Sequence, residues 1–292
     1  LLDLDLDHCN LEGPTAAVFT ALTRLRLASC LAGGSLWGLH LSRVAPCLAE
    51  LQCDAGNNLD CIELFTGHEY VRDFVCVDND RGNMFDPNDD AAGDFLCSAL
   101  DFPQLSRLTW VLGGSGAAGG GAGADDVDRN EPHRLLRAIC LLSRCSMLTS
   151  LSISTPRFRL PAQQLVACIG AAVGDTLMDL TLLDCAFPTD TADASRALCS
   201  LPTLCKLRAL TVHLPWPFFH GGAGSAHDRV PSLEEVVRAL VRPLPWLRKA
   251  VPLKTITLCC TRHRRERLVQ PFSTVWCGEL CAANRGLSIV LT

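Results

Sequence analysis

Leu1-Leu2-Asp3-Leu4-Asp5-Leu6-Asp7-His8-Cys9-Asn10-Leu11 opens the chain with the pattern L-x-x-L-x-L-x-x-C-x-L. Residues Leu22, Leu25, Leu27 and Cys30 repeat it, and so do Leu177, Leu180, Leu182 and Cys185, with Phe187 at the last position. Leu4 and Leu6 alternate with Asp5 and Asp7, so one face of the segment is apolar and the other polar, as in a half-buried β-strand. A lone strand of this kind cannot cover its apolar face, whereas stacking on the next copy does.

Working outward, the same core recurs as Leu48-x-x-Leu51-x-Cys53, Val71-x-x-Phe74-x-Cys76, Leu105-x-x-Leu108-x-Trp110 and Leu148-x-x-Leu151-x-Ile153. It continues as Leu207-x-x-Leu210-x-Val212 and Leu253-x-x-Ile256-x-Leu258, and a fragment, Leu287-x-Ile289-x-Leu291, closes the series. Any one match is weak in a leucine-rich chain; nine in order, and a poorer tenth, define a repeat array. The spacing is uneven because insertions fall near 78–94 (acidic), 113–128 (glycine-rich) and 215–231 (Pro, Gly and His). Between the strands, helical spacing predicts helices over 134–144, over 161–173 behind a favourable first-turn proline, and over 232–240 behind a Ser cap and two glutamates.

A chain of 292 residues would ordinarily suggest two domains, but an array grows by addition. The expectation is therefore a single repeat domain over 1–292 with about nine to ten irregular repeats. The net charge of −5, from 26 basic and 31 acidic residues, gives no general attraction to nucleic acid or to an anionic membrane. Aromatic residues make up 6%, thin for a base-stacking surface. No apolar run approaches the roughly 20 residues of a membrane span. There is no signal peptide and no initiator Met, so the chain reads as a fragment or processed form that starts inside a repeat. Seventeen cysteines is a high and odd number, many at apolar repeat positions, and no N-x-S/T site occurs. Cysteine there acts as a small hydrophobe, which points to a reducing cytoplasmic or nuclear setting.

With this motif the chain resembles the leucine-rich repeat proteins, in particular the ribonuclease-inhibitor-like and F-box-associated cysteine-containing classes. The resemblance covers nearly the whole chain. It implies an α/β solenoid shaped as a horseshoe, with a parallel sheet on the concave face and helices on the convex face. It also implies that Cys9, Cys30, Asn79 and Cys185 tie neighbouring loops together, while Cys53 and Cys76 fall at a buried strand position. The spacing is less regular than in those families. Residues 230–250 are faintly similar to an F-box and read better as an outer helix and a turn. Asn10-Leu11-Glu12-Gly13 is weakly similar to the plant extracellular class, whose Ile-Pro signature is absent.

The residues flanking the buried leucines would line the concave face. Of these, Asp5, Asp7, Arg24, Arg26, Gln52, Asp54, Asp73, Thr109, Thr181, Thr211 and His213 are the candidate partner-binding residues. The flanking positions also include Ala28 and, in a row of serines, Ser150, Ser152 and Ser154. The first half of the face is charged and mainly acidic with one basic row; the second half is nearly neutral and rich in Ser and Thr. Another protein with a basic segment would match this gradient. Any single polar residue on such a strand ordinarily just meets water, so the face as a whole is the candidate.

Signals for chemistry are weaker. Gly114-Ser115-Gly116-Ala117-Ala118-Gly119 matches G-x-G-x-x-G after a strand, but no helix opens at those glycines, as a dinucleotide site requires. Asp78, Asp80, Asp86, Asp89 and Asp90 supply carboxylates for calcium, yet the loop glycine falls at the fifth position rather than the sixth. Cys260, His263, Cys277 and Cys281 have the residue types for zinc, although the cysteines also suit a strand end and a buried helix side. The run 262–267 is basic and reads as a solvated loop or helix start. No catalytic residue, cofactor or metal is assigned. The expected function is a non-catalytic protein-interaction scaffold, which the resemblance extends to the recognition part of a ubiquitin ligase adaptor. The alternatives are an extracellular ligand-binding ectodomain and an enzyme using the glycine loop or the Cys/His cluster.

Overall fold

The computed structural model describes residues 1–7, 18–28, 41–54, 69–77, 102–111, 136, 139–154, 162–183, 201–214, 251–260 and 288–291. The chain forms two compact units, Leu1–Arg157 and Phe158–Thr292.

In the first unit the repeated segments become six strands: β1 (Asp3–Asp7), β2 (Arg24–Ala28), β3 (Glu50–Asp54), β4 (Asp73–Val77), β5 (Arg107–Val111) and β6 (Ser150–Ser154). Each pairs in parallel with the next copy in sequence. The register carries the motif across the sheet: Leu4, Leu25, Leu51, Phe74, Leu108 and Leu151 lie opposite one another. Leu25 through Leu151 in that row are buried. Cys53, Trp110 and Ile153 fill the second inward row and are also buried. Phe74 meets Phe102 edge-on, with ring centroids 5.5 Å apart, a favoured aromatic geometry. Burying an aliphatic or aromatic side chain is worth about 1.5–3 kcal/mol, so these rows are the main source of stability. Leu4 and Leu6 are only half-buried because β1 has a partner on one side alone among the described residues.

The position just before each strand fixes the register. The carbonyl oxygens of Leu2, Thr23, Ala49, Arg72 and Ser106 each accept two N–H groups from the following repeat, at 2.8–3.2 Å. Thus Ala49 and Glu50 both donate to Thr23, and Arg72 and Asp73 both donate to Ala49. A carbonyl has two lone pairs, so one acceptor saturates two donors. Side-chain hydroxyls add to three of these links: Thr23 donates to the Leu2 carbonyl, Ser106 to Arg72 and Thr149 to Ser106, each at 3.2 Å.

Upstream of this link lies a turn that the eleven-residue motif does not include. Leu22, Leu48, Leu105 and Leu148 each donate an N–H to the carbonyl three residues earlier, on Phe19, Ala45, Phe102 and Cys145. Ala45, Phe102 and Cys145 are buried with the leucines. The working repeat is therefore an apolar residue, then L-x-x-L-x-L three residues on. A short helix, α1 (Leu41–Val44), leads into one such turn. The expected helix over 134–144 is helical at 136 and 139–141 and ends in a 3₁₀ turn, Leu142–Arg144, with Ile139 and Leu142 buried.

The second unit builds the same pattern with β7 (Asp179–Leu183), β8 (Ala209–Leu214), β9 (Thr255–Cys260) and β10 (Ser288–Leu291). They pair in parallel in that order. Leu180, Leu210, Ile256 and Ile289 share one register row. The Met178 carbonyl accepts from Arg208 and Ala209, and the Arg208 carbonyl from Lys254 and Thr255. Before β7 runs α2 (Ala162–Val173), where a helix was expected. Its buried stripe is Leu165, Val166, Ile169 and Val173, with Gln163 and Gln164 outside, the spacing of an amphipathic helix.

Two outward expectations are corrected. Ala28 and Ser154, at the last positions of β2 and β6, are buried. Both still pair in register with the neighbouring strand, so two-residue alternation alone does not set burial at these positions. The ladder positions Cys9, Cys30, Asn79 and Cys185, the insertions at 78–94, 113–128 and 215–231, the basic run, and the helix expected over 232–240 lie outside the described residues. So do His263, Cys277 and Cys281.

Gly170 and Gly174 let the end of α2 rest on the 3₁₀ turn Leu201–Thr203. A Cβ on Gly174 would sit 2.1 Å from the Thr203 carbonyl oxygen and 2.4 Å from that of Gly170. Both neighbours are backbone, so neither moves aside cheaply. Gly174→Ala is expected to lower the unfolding free energy by about 1–3 kcal/mol, the usual cost of overpacking. Urea denaturation checks this, and an unchanged or raised stability would contradict the close approach.

Candidate functional site

The outward residues of the first unit line a recess of about 530 Å³ on the solvent face of its sheet. They stand in rows because the strands are in register. The first row runs Asp3, Arg24, Glu50, Asp73, Arg107, Ser150. The second runs Asp5, Arg26, Gln52, Val75, Thr109, Ser152.

Of the candidate residues, Asp5, Arg24, Arg26, Gln52, Asp73 and Thr109 come together in this recess. Asp7 lies at the exposed end of β1, opposite Ala28, and Asp54 pairs in register with Val77 at the end of β3. Thr181, Thr211 and His213 belong to the second unit. There Thr181, Thr211 and Thr257 form one half-buried row, and His213 is in register with Cys259.

What the copies read one at a time do not reveal is cross-strand pairing. Arg24 grips Asp3 with two bonds, Nε to Oδ1 at 2.6 Å and Nη2 to Oδ2. Arg107 holds Asp73 in the same two-pronged way. Arg26 donates to Asp5 at 2.9 Å. Bidentate pairs of this kind match the planar fork of arginine to a carboxylate. The expected acidic rows are thus largely neutralised within the sheet. Aligning the copies would have exposed the signal, since Asp3 with Arg24, Asp5 with Arg26 and Asp73 with Arg107 occupy equal positions in adjacent repeats.

The pairing moves the titrations. The hydrogen bond from Arg24 holds the Asp3 carboxyl below the usual carboxylate range, opposed by desolvation and helped by the Arg24 charge. Arg24 and Arg107 are pushed up, chiefly by their hydrogen bonds to Asp3 and Asp73 and then by those charges; Glu50 adds to both. These pairs lie at the surface, where screening leaves little net stability. Their effect is to fix side-chain directions on the face.

Among the described residues no cluster of three or more His, Cys, Asp or Glu is arranged to hold a metal ion. No described helix is long and apolar enough to cross a membrane.

No known family model matches the chain, and no curated protein matches it. Among solved structures, the chain is similar to the leucine-rich repeat-containing protein LegL7 from Legionella pneumophila, at 14% identity and a TM-score of 0.42, over 89% of this chain and 80% of that one.

The depressed Asp3 value gives a signed expectation. A carboxyl whose folded value is lowered stabilises the fold above its unfolded value and loses that contribution as pH falls through the folded one. NMR titration is expected to place the Asp3 midpoint below that of an isolated aspartate, and Arg24→Gln is expected to raise it. An ordinary midpoint in the unmutated chain would contradict the bidentate pair.

Proposed function

We propose that this chain is a protein-binding scaffold that engages its partner through the solvent face of the first unit's sheet, the face expected to be concave. The observation that carries the reading is the recess itself: charged, amide, hydroxyl and apolar side chains standing in rows on rigid, registered strands. A site on strands is held more sharply than one on loops, and stacked-repeat proteins commonly bind through such a surface. The ion pairs support it further, because side chains already oriented lose less freedom when a partner arrives.

We read the role as binding without catalysis, and the setting as a reducing one, cytoplasmic or nuclear. The burial of Cys53 and Cys145 among the apolar residues of the repeats, where cysteine packs as a small hydrophobe, is in keeping with that reading. The narrower role in a ubiquitin ligase adaptor rests on the resemblance of the repeat motif.

Affinity capture with the whole chain tests the proposal. Gln52→Lys together with Thr109→Lys is expected to release proteins that the unmutated chain holds, with affinity reduced at least about tenfold by charge mismatch in the recess. Lys206→Glu, in the second unit, is expected to keep them. Retention of every captured protein by the double variant would contradict binding through this face.

A further inference from the structure

We infer that the recess recognises a protein segment through one basic side chain, lysine or arginine, seated between Glu50 and Asp73. The inference rests on the protein-binding reading above and names the chemistry of the contact.

The first row holds five charged groups, Asp3, Arg24, Glu50, Asp73 and Arg107, and only two cations among them. Arg24 turns its fork to Asp3, and Arg107 turns its fork to Asp73. Glu50 is left over. It is exposed, and among the described residues no cation lies within ion-pair distance of it. Its charge is felt by Arg24 and Arg107, yet each arginine directs its Nε and Nη2 to an aspartate instead.

In register Glu50 lies between Arg24, whose fork is turned to Asp3, and Asp73. Like charges in opposed positions of a sheet repel. A cation placed between them removes that repulsion and supplies the charge that the row lacks. The neighbouring row suits the rest of such a side chain. Val75 follows Asp73 on the same face, about 7 Å along the strand. It is half-buried and lines the recess. The aliphatic stem of a lysine or arginine can lie over it while the charged head reaches the carboxylates. Gln52, beside Val75 in register, offers an amide to the partner's backbone. On one side Asp5 takes one bond from Arg26, and on the other Thr109 is neutral. The second row's one carboxylate inside the recess thus has a cation of its own, whereas the first row has one acid more than it has cations.

A displayed library of random heptapeptides, selected on the whole chain, tests this. Peptides are kept only if Gln52→Lys with Thr109→Lys abolishes their binding, which restricts the set to the recess. The unmutated chain is expected to enrich one position in Lys or Arg, with affinity that falls as salt rises. Glu50→Gln is expected to weaken those peptides about fivefold, and selection on Glu50→Lys to replace the basic position with Asp or Glu. Circular dichroism confirms that each variant is folded. Recess-dependent peptides with no basic position, or the same basic position selected by Glu50→Lys, would overturn this inference and leave protein binding standing. A selection that yields no recess-dependent peptide would overturn both.

Discussion

One backbone contact recurs in both units and sets everything built on it. A carbonyl immediately before seven of the ten described strands accepts two N–H groups from the next copy, at Leu2, Thr23, Ala49, Arg72, Ser106, Met178 and Arg208. The link locks each copy against its predecessor at the same residue. A slip by one residue would turn every inward leucine outward. The buried rows then follow, because Leu25, Leu51, Phe74, Leu108 and Leu151 are brought opposite one another, and so are Leu180, Leu210 and Ile256.

The same register arranges the surface. With the inward residues aligned, the residues between them must align on the other side. Asp3 meets Arg24, Asp5 meets Arg26 and Asp73 meets Arg107 as a consequence of strand pairing. These pairs are exposed, and the core outweighs them as a source of stability. In the proposed recognition they set the directions of both arginines and leave the row with one acid, Glu50, more than it has ion pairs. The acidic character of the face thus reduces to a local feature.

Much of this was legible in the sequence. The L-x-x-L-x-L spacing located nine of the ten described strands, and the poorer fragment Leu287-x-Ile289-x-Leu291 the short Ser288–Leu291, because two-residue alternation and leucine recurrence are local properties. The helix at Ala162–Val173 was equally visible from its apolar period. The turn three residues upstream was not, because Phe19, Ala45, Phe102 and Cys145 share little beyond being apolar. Ala28 and Ser154 were misplaced because alternation alone does not set burial at a strand's last position. Of the site, the facing residues were readable and their pairing was not. A list of outward positions carries no cross-strand partner until the copies are set in register. Glu50 stands out only then, because Arg24, its neighbour in register, turns to Asp3.

The register claim is tested most directly by residue-resolved amide hydrogen exchange. The two-donor links predict slow exchange in adjacent pairs at the start of each strand, at Ala49 and Glu50, Arg72 and Asp73, Ser106 and Arg107, and Thr149 and Ser150. In the second unit the same holds at Arg208 and Ala209, and at Lys254 and Thr255. Rapid exchange at these pairs in the folded protein, with protection at other positions, would contradict the stacking and the surface derived from it.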